Sequence, residues 1–88
     1  MAKIFNLSIV TPQKTIYEGK VTSLIVPAAL GYLGVLADHS PLIATLSSGK
    51  IIIKDEQYKP IIFHSQGNGF LEVFKNNVNI ILNHAWIR

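Results

Sequence analysis

Three histidines, five carboxylates and a handful of glycine-punctuated loops are the residues of this chain that could do chemistry. A metal centre needs ligands that converge, usually through paired spacings such as His-x-His. His39, His64 and His84 are instead separated by 25 and 20 residues, and the carboxylates form no tight pair. Asp38-His39-Ser40 holds the residue types of a hydrolase triad. Consecutive side chains on an extended backbone point to opposite faces, however, so they cannot converge on one proton path. Gly31-Tyr32-Leu33-Gly34 has the Gly-x-x-Gly form of a nucleic-acid clamp, which needs flanking helices. Gly67-Asn68-Gly69 lacks the third glycine and following helix of a dinucleotide fingerprint, and Gly49-Lys50 runs into Ile51 rather than Ser or Thr. The expectation is a protein without catalysis, metal or cofactor.

The elements that would position any site are strands. Phe5, Leu7 and Ile9 alternate with Asn6 and Ser8 up to Thr11-Pro12. Thr15 to Glu18 is a short extended piece closed by Gly19, and Leu24-Ile25-Val26 reads as a buried strand before Pro27. Gly31 and Gly34 suggest bends around Tyr32-Leu33, and if Gly34 sits at φ > 0, Gly34→Val destabilises the fold. Pro41 to Leu46 fits either a strand or one helical turn. Ser47-Ser48-Gly49, Asp55-Glu56-Gln57, Gly67-Asn68-Gly69 and Asn76-Asn77 read as turns between the later strands. Pro60 argues for an edge or a bulge. Turn signals recurring about every 8–12 residues predict one all-β sandwich domain over residues 1–88.

Composition points outward. Hydrophobic residues make up 49% of the 88 residues and charged ones 15%, against a usual charged share of about 25%. Either the interior takes up an unusually large share of these residues, or part of the outside is apolar and covered by a partner. Phe70 and Phe74 flank Glu72 on the face opposite Leu71 and Val73, and Ile52, Ile62 and Ile81 stand opposite apolar neighbours in the same way. The net charge of +3 comes from scattered lysines and Arg88, without the basic run of a nucleic-acid binder. Cysteine is absent, and no stretch approaches the ~18 apolar residues of a membrane span. Met1 to Ser8 breaks its apolar residues with polar ones and has no secretory core, so a soluble, cytosol-facing protein is expected.

Taken together, three segments carry a resemblance: Ser8-Ile9-Val10-Thr11-Pro12, Gly31-Tyr32-Leu33-Gly34-Val35-Leu36-Ala37-Asp38-His39-Ser40-Pro41-Leu42, and Gly69-Phe70-Leu71-Glu72-Val73. In order and spacing, over about residues 4 to 86, they resemble the epsilon subunit of rotary ATP synthase. The resemblance implies a sandwich of about ten short, mostly antiparallel strands and no catalysis. It implies one copy in the central stalk, bound to the gamma subunit and resting on the ring of c subunits, at the cytoplasmic face of the bacterial plasma membrane. It places Thr11, His39 and Ala44 at the gamma contact, where the outward Phe70 and Phe74 would join them. Gly31, Tyr32, Leu33, Gly34, Asp38 and Pro41 would face the c ring. Tyr32 stands where the family usually has an acid, His39 either bonds across the contact or caps its own loop, and Asn68 replaces one glycine of a Gly-Gly turn. Asn83 stands where an Asp is common. The family commonly continues into a helical hairpin, and this sequence stops at Arg88. The competing reading is a free-standing β-sandwich adaptor or ligand-binding module.

Overall fold

The computed structural model describes residues 3–87, so Met1, Ala2 and Arg88 of the expected domain lie outside the described residues. Seven strands form in chain order: β1 (Phe5–Val10), β2 (Thr15–Ala28), β3 (Gly31–Val35), β4 (Leu42–Leu46), β5 (Gly49–Asp55), β6 (Pro60–Phe74) and β7 (Asn77–Ile87). The pairings are antiparallel except between β1 and β7. No helix forms among the described residues.

Seven continuous strands replace the ten or so short ones expected, because three of them serve both layers. One layer contains β3, β2 from Val21 onward, β5, β6 up to Gln66, and β7 from His84. The other contains β4, β6 from Gly69, β7 up to Leu82, β1, and β2 up to Val21. Counting the two parts of β2, β6 and β7 separately recovers ten segments.

Bulges make these crossings possible. In β2, Val21 pairs with Asp55 and Ser23 with Lys54, which leaves Thr22 without a partner. An extra residue bends a strand and raises its twist. Val21 and Thr22 are consequently both buried, and the Thr22 hydroxyl lies within reach of the Lys54 and Asp55 carbonyls at 3.2 and 3.0 Å. In β6, the expected turn at Gly67-Asn68-Gly69 is a second bulge inside a continuous strand. The left-handed residue there is Gly67, at φ 87°, whereas Asn68 is not at positive φ. The Asn68 substitution thus falls where no glycine conformation is needed. Gly69 is required for space: a Cβ would stand 2.6 Å from the Ile81 carbonyl oxygen.

The core is aliphatic with two phenylalanines. Alternation delivers Phe5, Leu7 and Ile9 inward from β1, Leu24 and Val26 from β2, and Ile51 and Ile53 from β5, all buried. Each such side chain contributes about 1.5–3 kcal/mol on leaving water. Ile25, expected to be buried with its neighbours, points outward and is 40% exposed.

Two local readings are corrected. Pro41 to Leu46 is a strand from Leu42, paired with β6 from Leu42↔Val73 to Leu46↔Gly69. Gly31 to Val35 is a regular strand on β2 rather than a pair of bends. Gly34 is not at positive φ, and a Cβ added there meets nothing within 4 Å. Gly34→Val is therefore expected to leave the melting temperature within the spread of ordinary surface substitutions, about ±0.5 kcal/mol. A large loss in a thermal melt would contradict this placement. The last hairpin turns one residue earlier than the Asn76-Asn77 reading: Lys75 and Asn76, at φ 50° and 60°, are its two central residues. That is the paired positive-φ geometry favoured by two-residue hairpins.

Candidate interaction surface

The second layer carries an apolar outer face. Pairing places Thr45, Phe70, Ile81 and Val10 in one row across β4, β6, β7 and β1. The next row runs Ile43, Glu72, Asn79 and Ser8, and Phe74 lies one step further along β6 beside Asn77. Phe70 and Phe74 are 55% and 54% exposed, Ile81 53% and Ile43 74%. A depression of about 400 Å³ opens between Pro41, Ile43 and Phe74. Polarity inside the patch is muted: Glu72 accepts from Asn79 Nδ2 at 3.4 Å, and the Lys75 ammonium lies 5.3 Å from the Phe74 ring centroid. A patch with aromatic anchors and few charges has the makeup of an interface core.

The site residues expected from the sequence do not gather in one place. Phe70 and Phe74 share the outer face just described. Ala44, opposite Leu71, faces the interior and packs against the core. Thr11 closes the β1–β2 turn, its N–H and hydroxyl both donating to the Lys14 carbonyl at 2.9 and 3.2 Å. His39 Nδ1 lies 2.8 Å from the Ser40 carbonyl, which can only accept, so His39 caps its own loop. Ile43 and Ile81 complete the apolar face. Ile81 is legible as the outward member of Ile80-Ile81-Leu82, whereas Ile43 follows only once β4 has a register.

The segment from Gly31 to Pro41 spans one edge of the molecule. Gly31 and Tyr32 lie at the β2–β3 turn, beside the wholly exposed Leu30. Roughly 13 Å of strand separates that turn from Val35. A groove of about 500 Å³ lies between β3 and β4, lined by Leu30, Tyr32, Leu33, Leu42 and Ile43 among others. Asp38, at φ 63°, sits beyond the far end of β3 and is tied to the last hairpin. Its amide donates to Asn76 Oδ1 at 2.6 Å, and its carboxylate accepts from Asn76 Nδ2 at 3.1 Å and from Lys3 Nζ at 2.8 Å. The hydrogen bond from Lys3, then that from Asn76, holds the Asp38 carboxyl below its ordinary pKa of 3.8. A depressed pKa stabilises the fold above the unfolded value, and that contribution is lost as the pH falls through the folded one. Both side chains are well exposed, so solvent screens the effect. Asp38→Asn should lower the melting temperature slightly at neutral pH, and the difference should vanish in melts below the carboxylate range.

Nothing in this arrangement relays a proton. Asp38 engages Lys3 and Asn76, and His39 meets the backbone of Ser40 rather than its hydroxyl. The one clustering of histidines that spacing could not show is elsewhere. His64 stacks on Trp86 with centroids 5.9 Å apart, and His84 tilts against the same ring at 5.4 Å.

The model of the family described as ATP synthase, Delta/Epsilon chain, beta-sandwich domain matches residues 4–87. The chain belongs to that family. It is 42% identical over 84 residues to the ATP synthase epsilon chain of Leptospira borgpetersenii, covering 94% of this chain and 64% of that one. The ATP synthase epsilon chain of Caulobacter vibrioides is 38% identical over 85 residues, covering 97% and 95% respectively. The epsilon-type sandwich thus spans about two thirds of the Leptospira relative but nearly all of the Caulobacter one. A chain in the solved mitochondrial ATP synthase of Euglena gracilis, which contains OSCP, F1 and the c-ring, shares the fold with a TM-score of 0.88. It is 24% identical and is covered over 54% of its length, against 99% of this chain.

Proposed function

We propose that this chain is a non-catalytic central-stalk subunit of a rotary ATP synthase, coupling ion-driven rotation of the c ring through the gamma subunit to ATP synthesis. The observation that carries this reading is the face of Ile43, Phe70, Phe74 and Ile81, each more than half exposed on a rigid sheet. Apolar surface of that kind is retained where a partner covers it. Gamma is that partner, with Phe70 and Phe74 as anchors and with Thr11 and His39 at the rim. Ala44 contributes by letting β4 lie close to the core rather than by contact.

The β2–β3 turn and the β3–β4 groove form the c-ring end. Tyr32 is 63% exposed and supplies an aromatic contact where the family usually has an acid; Gly31 and Leu33 flank it. Gly34, Asp38 and Pro41 continue along the same edge, and Asp38 keeps the loop ordered. One copy enters a hetero-oligomeric complex at the cytoplasmic face of the bacterial plasma membrane, in keeping with the bacterial sources of the two relatives. Co-expression with the gamma subunit from the same source should yield a stoichiometric complex that survives gel filtration. Recovery of the two as separate species would favour the free-standing adaptor.

A further inference from the structure

The opposite outer face, on the layer of β3, β2, β5 and β6, has a different character. Register places Gly34, Ile25, Ile52 and Ile62 in a single row across those four strands. Ile25 is 40% exposed, and Ile52 and Ile62 are half-buried. The ionised side chains on either side of Ile52 along β5 are both cationic. Lys50 and Lys54 flank Ile52 along β5, and among the described residues the one ion pair is Lys3–Asp38, so neither lysine has a carboxylate partner. Asp55, at the end of β5, turns its carboxylate back onto the Gln57 and Lys59 amides at 2.8 and 3.0 Å.

Gly34 adds an independent sign. Its backbone is ordinary, and a Cβ would touch nothing within the chain. Pairing is regular at this position, so the glycine serves no bulge and is compatible with the close approach of a ligand or another backbone.

We infer that this face docks an acidic amphipathic helix of a partner chain. The dimensions suit a helix lying across the strands. Four strands span roughly 14 Å, between two and three helical turns. Lys50 and Lys54 stand roughly 13 Å apart on β5, just wider than a helix about 10–12 Å across. The isoleucine row takes the apolar stripe, the lysines take carboxylates on both flanks, and Gly34 lets one end of the helix sit close. Electrostatic complementarity then selects an acidic helix over a basic one. Because this face lies opposite Phe70 and Phe74, the docking is separate from the proposed gamma contact.

Trp86 provides a built-in reporter. It is the only tryptophan in the sequence, 44% exposed, and stacked on His64 beside Lys50 in the same layer. The probe is a capped 18-residue helical peptide with a leucine stripe, glutamates on both flanks and no aromatic residue. Titrated into the whole chain at low salt, it should give a saturable shift of Trp86 emission. The same stripe flanked by lysines should bind at least about tenfold more weakly, since two ion pairs become two repulsions. The double variant Lys50→Glu, Lys54→Glu should invert that preference. Gly34→Val should weaken the acidic peptide while melting like the wild type, and Phe74→Asp should leave its binding unchanged. A missing response to the acidic peptide, equal affinity for both peptides, or indifference to the lysine reversal would overturn the inference. So would an emission shift that depends on protein concentration alone, which would assign the face to a second copy of this chain.

Discussion

Gly69→Ala should lower the stability of the domain by about 2–3 kcal/mol, the upper range for forcing atoms into a packed interior. For a domain of this size that is a fall of roughly 10–20 °C in melting temperature. Gly69 sits where β6 leaves its bulge and pairs with Leu82, and it is buried. A Cβ there would meet the Ile81 carbonyl oxygen at 2.6 Å and Leu82 Cδ2 at 2.7 Å. The leucine tip could rotate, but the carbonyl belongs to the backbone of β7 and cannot move without shifting the strand. The hairpin of β6 and β7 carries Phe70, Phe74 and Ile81, so the same change would disturb the apolar face. A wild-type melt would mean that β6 and β7 pair in another register.

The second large effect concerns binding. Phe70→Asp and Phe74→Asp should each weaken association with gamma by at least about thirtyfold, the scale of a 2 kcal/mol anchor. Each ring is already more than half exposed in the isolated domain, so its replacement removes little of the core. The melting temperature should therefore move by only a few degrees, as for other surface changes. Calorimetric titration beside a thermal melt separates the two quantities. Parallel loss of affinity and stability would show that the rings support the fold rather than the contact.

Much of this architecture was legible because alternation is a local signal. Leu71 and Val73 inside with Phe70 and Phe74 outside follows from a period of two, as do the inward Phe5, Leu7 and Ile9. What escaped was decided by contacts far along the chain. A bulge and a turn draw on the same residues, so Gly67-Asn68-Gly69 reads as a turn until β7 is seen to continue past it. Thr22 gives no local hint that it is the extra residue of β2; its role depends on the carbonyls of Lys54 and Asp55, more than thirty residues away. Crossings at such points turn the ten or so strands that the resemblance implies into seven.

Glycine was ambiguous for a related reason. Gly34, Gly67 and Gly69 look alike in sequence, yet one is free of constraint, one needs its backbone angle and one needs its lack of a side chain. The candidate site shows the same division. The outward phenylalanines could be read directly, while Ile43 waited on the register of β4 against β6. The meeting of His64, Trp86 and His84 required two strands brought side by side. Family resemblance pointed to Ala44 as a contact residue, whereas the register turns its side chain toward the core.

The proposed coupling role can be read most directly in membrane vesicles carrying the synthase from the same source, depleted of this chain and then restored. The quantity to measure is the ion gradient built per ATP hydrolysed. Depleted vesicles should hydrolyse ATP with little gradient, the wild-type chain should restore pumping, and the Phe70→Asp, Phe74→Asp double variant should not. An equal gradient per ATP with and without the chain would contradict the account.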